Sequence, residues 1–258
     1  MTLKLTQKTE AGFTLVELAI VLMIIGLLIG GILRGQELME NARVTSTIQQ
    51  TKAYDGATTT FEDAYSALPG DMLSPSTRLP NCATGTNCAT AGDANGIVGA
   101  AHPGDTTAYV IAAKSENNNF WVHLATAHLI SGINPTATGG TAAAWGQDFP
   151  AAKIGGGFHV VTLNAAANKV SANAPAVNGL FLNLNSSAVN TKLQETAGTS
   201  ALTPLRAAQI DRKTDDGLPQ TGDVMATGTN NCVGATAGAN YVETAELRDC
   251  DLLIKIQG

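Results

Sequence analysis

AGFTLVELAIVLMIIGLLIGGILRG, residues 11–35, holds an apolar run from Phe13 to Leu33 with one charge in it, the carboxylate of Glu17. Twenty-one residues at 1.5 Å each make roughly 30 Å of helix, enough to cross the hydrocarbon core of a bilayer. A cleaved secretory signal is the plainer alternative. It needs a small-x-small cleavage site just after the apolar run. The small residues here are Gly26, Gly30, Gly31 and Gly35, and no two of them are two apart. Lys4 and Lys8 precede the span and Arg34 and Arg43 follow it, so the count of positive charges leaves the orientation open. Glu17 is the anomaly. A carboxylate deep in lipid costs about 2.5–3.5 kcal/mol on insertion scales. Two arrangements relieve that cost. Glu17 lies near the interface and reaches water, or a cation is held at the same depth.

Beyond Arg34 the helical pattern continues. Tyr54, Ala57, Phe61, Ala64, Tyr65 and Leu68 fall three or four apart, which is one apolar stripe on an amphipathic helix. Pro69-Gly70 is expected to end it. Residues 70–108 are rich in Pro, Gly, Thr and Asn and predict loop. NFWVHLATAHLISG, from Asn119, predicts a short helix stopped by Gly132. GFHVVTLNA from Gly157, GLFLNLNSS from Gly179, GDVMATG from Gly222 and LLIKI from Leu252 predict strands. Thr203-Pro204 predicts a helix start, with Thr203 as N-cap, running through Ile210 to Asp215-Asp216-Gly217. The expected fold is α+β: a long N-terminal helix packed on a mainly antiparallel sheet.

The chain has 258 residues, 14% of them charged, with a net charge of −6. Its 15 Lys and Arg are scattered, so no basic face offers itself to nucleic acid. Aromatics make up only 5%, and such a domain gains from covalent staples. Cys82, Cys88, Cys232 and Cys250 allow three pairings. The two local ones, Cys82 with Cys88 and Cys232 with Cys250, are favoured over the others and over free thiols. The spacings lack the paired C-x2-C knuckles of structural zinc. Disulfides place the bulk of the chain outside the cytoplasm.

Catalytic signals are absent. His123 and His128 are five apart, where a helical metal pair needs four, and His102 and His159 stand alone. There is no G-x-S-x-G elbow and no Walker A loop. Gly155-Gly156-Gly157 lacks dinucleotide-binding spacing and marks the beginning of a strand. Asp211, Asp215, Asp216 and Asp223 cluster around Gly217, a set of oxygens suited to calcium, against the alternative of a solvated helix end. Asp93-Ala94-Asn95-Gly96 is a fragment of a calcium-loop pattern.

Gly12-Phe13-Thr14-Leu15-Val16-Glu17, preceded by a short leader with Lys4 and Lys8 and followed by the apolar run, resembles the type IV prepilin signature over about residues 8–40. Type IV pilins, minor pilins and the pseudopilins of type II secretion share it. The resemblance implies cleavage between Gly12 and Phe13 by a prepilin peptidase and N-methylation of Phe13. It implies a docking role for Glu17, which would neutralise the terminal amine of a neighbouring subunit. The organisation it implies is a leader (1–12), a transmembrane or filament-core helix (13–34), an amphipathic continuation (35–68) and a periplasmic or extracellular head (69–258). Partners would be other pilin or pseudopilin subunits, the peptidase, an inner-membrane assembly platform and lipid. Many major pilins carry a proline late in the apolar run, and this chain has none between Phe13 and Leu68. It has instead two G-x-x-x-G spacings, Gly26/Gly30 and Gly31/Gly35, which suit close helix packing. The pair Cys232/Cys250 resembles the disulfide-bounded C-terminal region of type IV pilins, and the calcium sites of several pseudopilin heads add weight to the Asp211 set. The expected function is a structural subunit of a type IV pilus-like filament. The alternatives are a minor pseudopilin of type II secretion, a pilus-displayed adhesive head and, from another class, a membrane-anchored periplasmic enzyme.

Overall fold

A computed structural model describes residue 12 and residues 14–99, 115–136, 140–163, 177–189, 198–236 and 238–256. The chain divides into two compact units, Met1–Ala42 and Arg43–Gly258. Helix α1, Leu15–Tyr65, contributes to both. In the first unit its side chains are solvent-exposed: Leu15 is 88% exposed and Leu27 79%. The lack of proline lets this part stay helical although its described side chains are mostly exposed. It is long and apolar enough to cross a membrane.

In the second unit α1 buries Val44, Thr47, Ile48, Thr51, Tyr54, Ala57, Thr58 and Phe61. The spacing of three and four is as expected, but the composition of the stripe is not. Ala64 is exposed, Tyr65 and Leu68 are half-buried, and three threonines fill the gaps. Their hydroxyls bond back to helix carbonyls: Thr47 to Arg43 at 2.9 Å, Thr51 to Ile48 at 2.8 Å and Thr58 to Tyr54 at 2.9 Å. A back-bonded threonine hides its polar atom and presents its methyl group, so the face behaves as apolar. The helix ends at Tyr65, ahead of Pro69, with Ser66 in the left-handed region (φ 48).

Four strands form one sheet in the order β1-β2-β4-β3: β1 Gly157–Leu163, β2 Gly179–Asn185, β3 Val224–Gly228 and β4 Cys250–Ile256. Every pairing among them is antiparallel. One face carries Phe158, Val160, Leu182, Leu184, Val224 and Leu252 into the main core, where α1 and α3 (Glu116–Thr126) meet them. The Tyr54 ring stands edge-on to Trp121 of α3 at 5.1 Å and to Phe158 of β1 at 5.6 Å. The opposite face holds a smaller cluster of Val161, Leu163, Phe181, Met225 and Leu253. Beside it lie the buried polar groups His159, Asn183, Asn185, Thr227 and Asp251. Gly157 opens β1 because a Cβ there would strike the Trp145 ring and the Pro150 carbonyl.

Two expected boundaries move. Helix α3 starts at Glu116 and stops at Thr126, well before Gly132. His128 adopts the left-handed conformation (φ 60), Leu129 N–H bonds the Leu124 carbonyl at 3.0 Å, and His128 N–H bonds Ala125 at 3.1 Å. That is a Schellman stop with histidine where glycine is usual. Helix α4, Pro204–Thr214, starts and ends as expected, but the Thr203 hydroxyl makes no capping bond. A one-turn helix α2, Pro75–Arg78, lies in the stretch expected to be loop. Cys82–Cys88 and Cys232–Cys250 are disulfides; the second ties the β3–β4 connection to the first residue of β4.

Candidate functional site

The N-terminal site is built from four consecutive residues. Thr14 N–H donates to Glu17 Oε2 at 2.8 Å, Thr14 Oγ1–H donates to the same oxygen at 2.8 Å, and Glu17 N–H returns a bond to Thr14 Oγ1 at 3.2 Å. This is the reciprocal arrangement of a capping box, Thr-x-x-Glu, which satisfies amides that an α-helix leaves without acceptors at its start. The carboxylate also faces the positive end of the helix dipole. In the single chain, then, Glu17 has a local task at the head of the exposed, apolar first part of α1. Thr14 is the partner that the sequence reading passed over, although the T-x-x-E spacing announces it. Gly12 is exposed; Phe13 lies outside the described residues. Around Gly26, Gly30, Gly31 and Gly35 the space is open, with nothing within 4 Å of where a Cβ would stand.

Residues 7–33 match the family model of the prokaryotic N-terminal methylation motif. The match covers the short leader, Gly12, Phe13, Glu17 and the apolar run, so the chain carries a type IV prepilin-like signature. No curated protein and no solved structure matches it. The motif supports a type IV pilin-like or pseudopilin precursor, and it implies processing by a prepilin peptidase and assembly with other pilin subunits. The α+β head behind a long N-terminal helix is a pilin-like layout.

Among the described residues, two acidic clusters lie in the second unit. In the first, Asp211, Asp215 and Asp216 bring carboxylate oxygens within 4.8 Å of one another. All three staple the end of α4 to its surroundings. Asp211 is fully buried; its Oδ1 accepts from Gly217 N–H at 3.0 Å and its Oδ2 from the Tyr241 hydroxyl at 2.7 Å. Asp215 Oδ2 accepts from the amides of Asp223 and Val224. Asp216 accepts from Leu218 N–H at 2.8 Å and the Thr221 hydroxyl at 2.6 Å. Asp223 stands apart from the trio, 4.0 Å from Lys255 Nζ. Burial, with smaller contributions from Asp216 and Asp215, pushes the Asp211 carboxyl up to about 6 despite its two donors.

The second cluster was not legible locally. Asp71, Asp93 and Glu116 come from the turn after α1, a loop, and the first residue of α3, yet their carboxylate oxygens also lie within 4.8 Å of one another. Only Asp93 stood in a sequence pattern. Burial first, and then repulsion from the other acids of the trio, holds the Glu116 carboxyl above its ordinary range; burial first, and then Asp93, does the same to Asp71. Unit charges this close repel by about 3–4 kcal/mol at an effective dielectric of ~20, and by less where water screens the exposed Asp93.

The described histidines have structural partners. His123 is buried; it accepts from Gly70 N–H at Nδ1 (2.9 Å) and donates from Nε2 to the Cys88 carbonyl (3.0 Å), which fixes the neutral ring. His159 donates to the Ser187 carbonyl at 2.8 Å, between Trp145 and Phe149. Burial lowers both to about 4. His128 serves the helix stop, and His102 lies outside the described residues.

Proposed function

We propose that the protein is a structural subunit of a type IV pilus-like filament, cut after Gly12 and assembled through the start of α1. Residues 1–12 form the leader, 13–34 the membrane and filament-core helix, 35–68 its continuation, and 69–258 a head outside the inner membrane. The observation that carries this is the methylation-motif match at residues 7–33, over a stretch of helix whose described apolar side chains are exposed.

Cleavage gives Glu17 a second possible partner. A new cationic amine at Phe13 sits at the positive end of a helix, where the macrodipole disfavours it. An acid at the same depth removes both problems. When the amine comes from an adjacent copy, Glu17 exchanges its local bonds with Thr14 for an intersubunit ion pair in low dielectric. Leaving either member of such a pair alone is costly, so the pair enforces register. Gly26, Gly30, Gly31 and Gly35 allow neighbouring helices to approach closely.

Mass spectrometry of the mature chain tests processing: the mass should lack residues 1–12, and retention of the leader overturns this reading. Glu17→Ala should leave membrane insertion intact and reduce incorporation into filaments to background, measured by immunoblot of sheared filaments. Normal incorporation sinks the docking role. The lack of proline between Phe13 and Leu68 favours a minor subunit over a major one, and the second reading is a minor pseudopilin of type II secretion. Deletion of the gene separates the two, since it abolishes surface filaments in one case and protein export in the other.

A further inference from the structure

We propose that Asp71, Asp93 and Glu116 form a binding site for a hard divalent cation, calcium by its ligand chemistry, which clamps the turn leaving α1 to the start of α3. Three carboxylates converge within 4.8 Å. Among the described residues no Lys, Arg or His forms an ion pair with any of them.

The second observation is the state of Asp71. Asp71 is only 3% exposed, its Oδ2 accepts from Gly96 N–H at 2.8 Å, and its buried Oδ1 meets no geometric hydrogen-bond donor, with Ala94 N–H and the Asp93 side chain beside the carboxyl. A buried acceptor with nothing to accept calls for a partner, and a cation among three acids supplies one. The Asp211 cluster has no comparable orphan, because both oxygens of its buried member are used.

The loop of residues 92–99 is wound around these acids. Asp93 N–H donates to Glu116 Oε1 at 3.1 Å and Gly99 N–H to Glu116 Oε2 at 2.7 Å. Gly92 presses on the backbone of Asp71, where a Cβ would collide with it. Asp71 also lines a cleft of about 540 Å³ with Glu62, Asp63, Ala94 and Gly96. All the donors are oxygen, and both nearby cysteines are consumed in a disulfide, which excludes a soft or zinc-type site. An irregular loop with waters completing six to eight ligands suits calcium better than the strict octahedron of magnesium.

The test uses the full chain in detergent micelles, stripped with a chelator. Calorimetric titration with calcium chloride should give about one ion per chain with a Kd of about 10⁻⁵–10⁻³ M, and calcium should raise the melting temperature more than equal magnesium. Asp93→Asn, on an exposed loop, should weaken binding about tenfold or more, while Asp216→Asn leaves it unchanged. Asp71→Asn should do the same as Asp93→Asn, but because Asp71 is buried the exposed variant decides if that protein fails to fold. No saturable heat and no melting shift overturn the proposal. So does binding that survives Asp93→Asn, or that is lost instead in Asp216→Asn. An equal response to magnesium overturns the calcium assignment.

Discussion

Leu27 and Phe61 lie on the same helix, yet Leu27 is 79% exposed and Phe61 is wholly buried. Among the described residues, the apolar side chains of α1 up to Ala42 are exposed. The part from Arg43 on needs nothing else, because α3 and the sheet receive it. In the reading proposed above, lipid or another subunit covers the first region, while the second is covered by its own fold. The sharpest way to break this comparison is a matched pair of truncations. Phe61→Ala removes a ring packed 4.6 Å from Tyr65 and 6.3 Å from His123, and should cost the head about 3–5 kcal/mol in denaturant melts. Leu27→Ala should leave those melts unchanged and show itself only in filament incorporation. Equal losses from the two would mean that the regions share one folding unit.

Within the head, the two disulfides sharpen the comparison further. Cys232–Cys250 spans 18 residues and Cys82–Cys88 spans 6. In the chain-entropy picture the larger loop is worth about 3 kcal/mol and the smaller about 2 kcal/mol. Replacing Cys232 and Cys250 by Ala should therefore lower the midpoint more than replacing Cys82 and Cys88. Neither change should alter membrane insertion. The reverse order would show that strand pairing already holds the C-terminal loop and that the staple at residues 82–88 fixes a weaker segment.

Much of the architecture was readable from local pattern. The apolar run, the four strands and the start of α4 each follow from periodicity or from a Thr-Pro signal, which are interactions between near neighbours in sequence. What was not readable depended on packing or on distance. Thr47, Thr51 and Thr58 look polar as letters and become core only because each hydroxyl folds back on its own helix. His128 gave no sign of being a helix stop, since glycine is the residue expected in that conformation. Of the sites, Glu17 stood out because lipid makes a lone acid conspicuous, and Thr14 was missed beside it. Asp71 and Glu116 are 45 positions apart with no shared motif, so only the fold brings them to Asp93. Of the four acids around Gly217, Asp211, Asp215 and Asp216 come together as the pattern suggests, and Asp223 stands apart beside Lys255.

The smallest expected effect concerns that same acid cluster and depends on sign. The carboxyl of Asp211 is raised from an ordinary carboxylate to about 6, chiefly by burial. The unfolded chain ionises this group near 4, so its contribution to stability is fully present below that pH and is lost as pH rises through about 6. His123 and His159 run the other way. Burial lowers both to about 4, so their contribution is present above about 6.5 and is lost as pH falls toward 4. In the native protein the two trends oppose each other between about pH 4 and 6.5. Asp211→Asn separates them. The amide oxygen still accepts from Gly217 N–H, its nitrogen can donate to the Tyr241 oxygen, and no buried charge remains. Relative to wild type the variant should gain on the order of 1–3 kcal/mol between pH 4.5 and 7.5, and its own melting curve should fall more steeply in acid. An offset between the two proteins that does not change with pH would show that Asp211 is ionised at no cost, and that the end of α4 supplies the carboxylate with more than the two donors seen here.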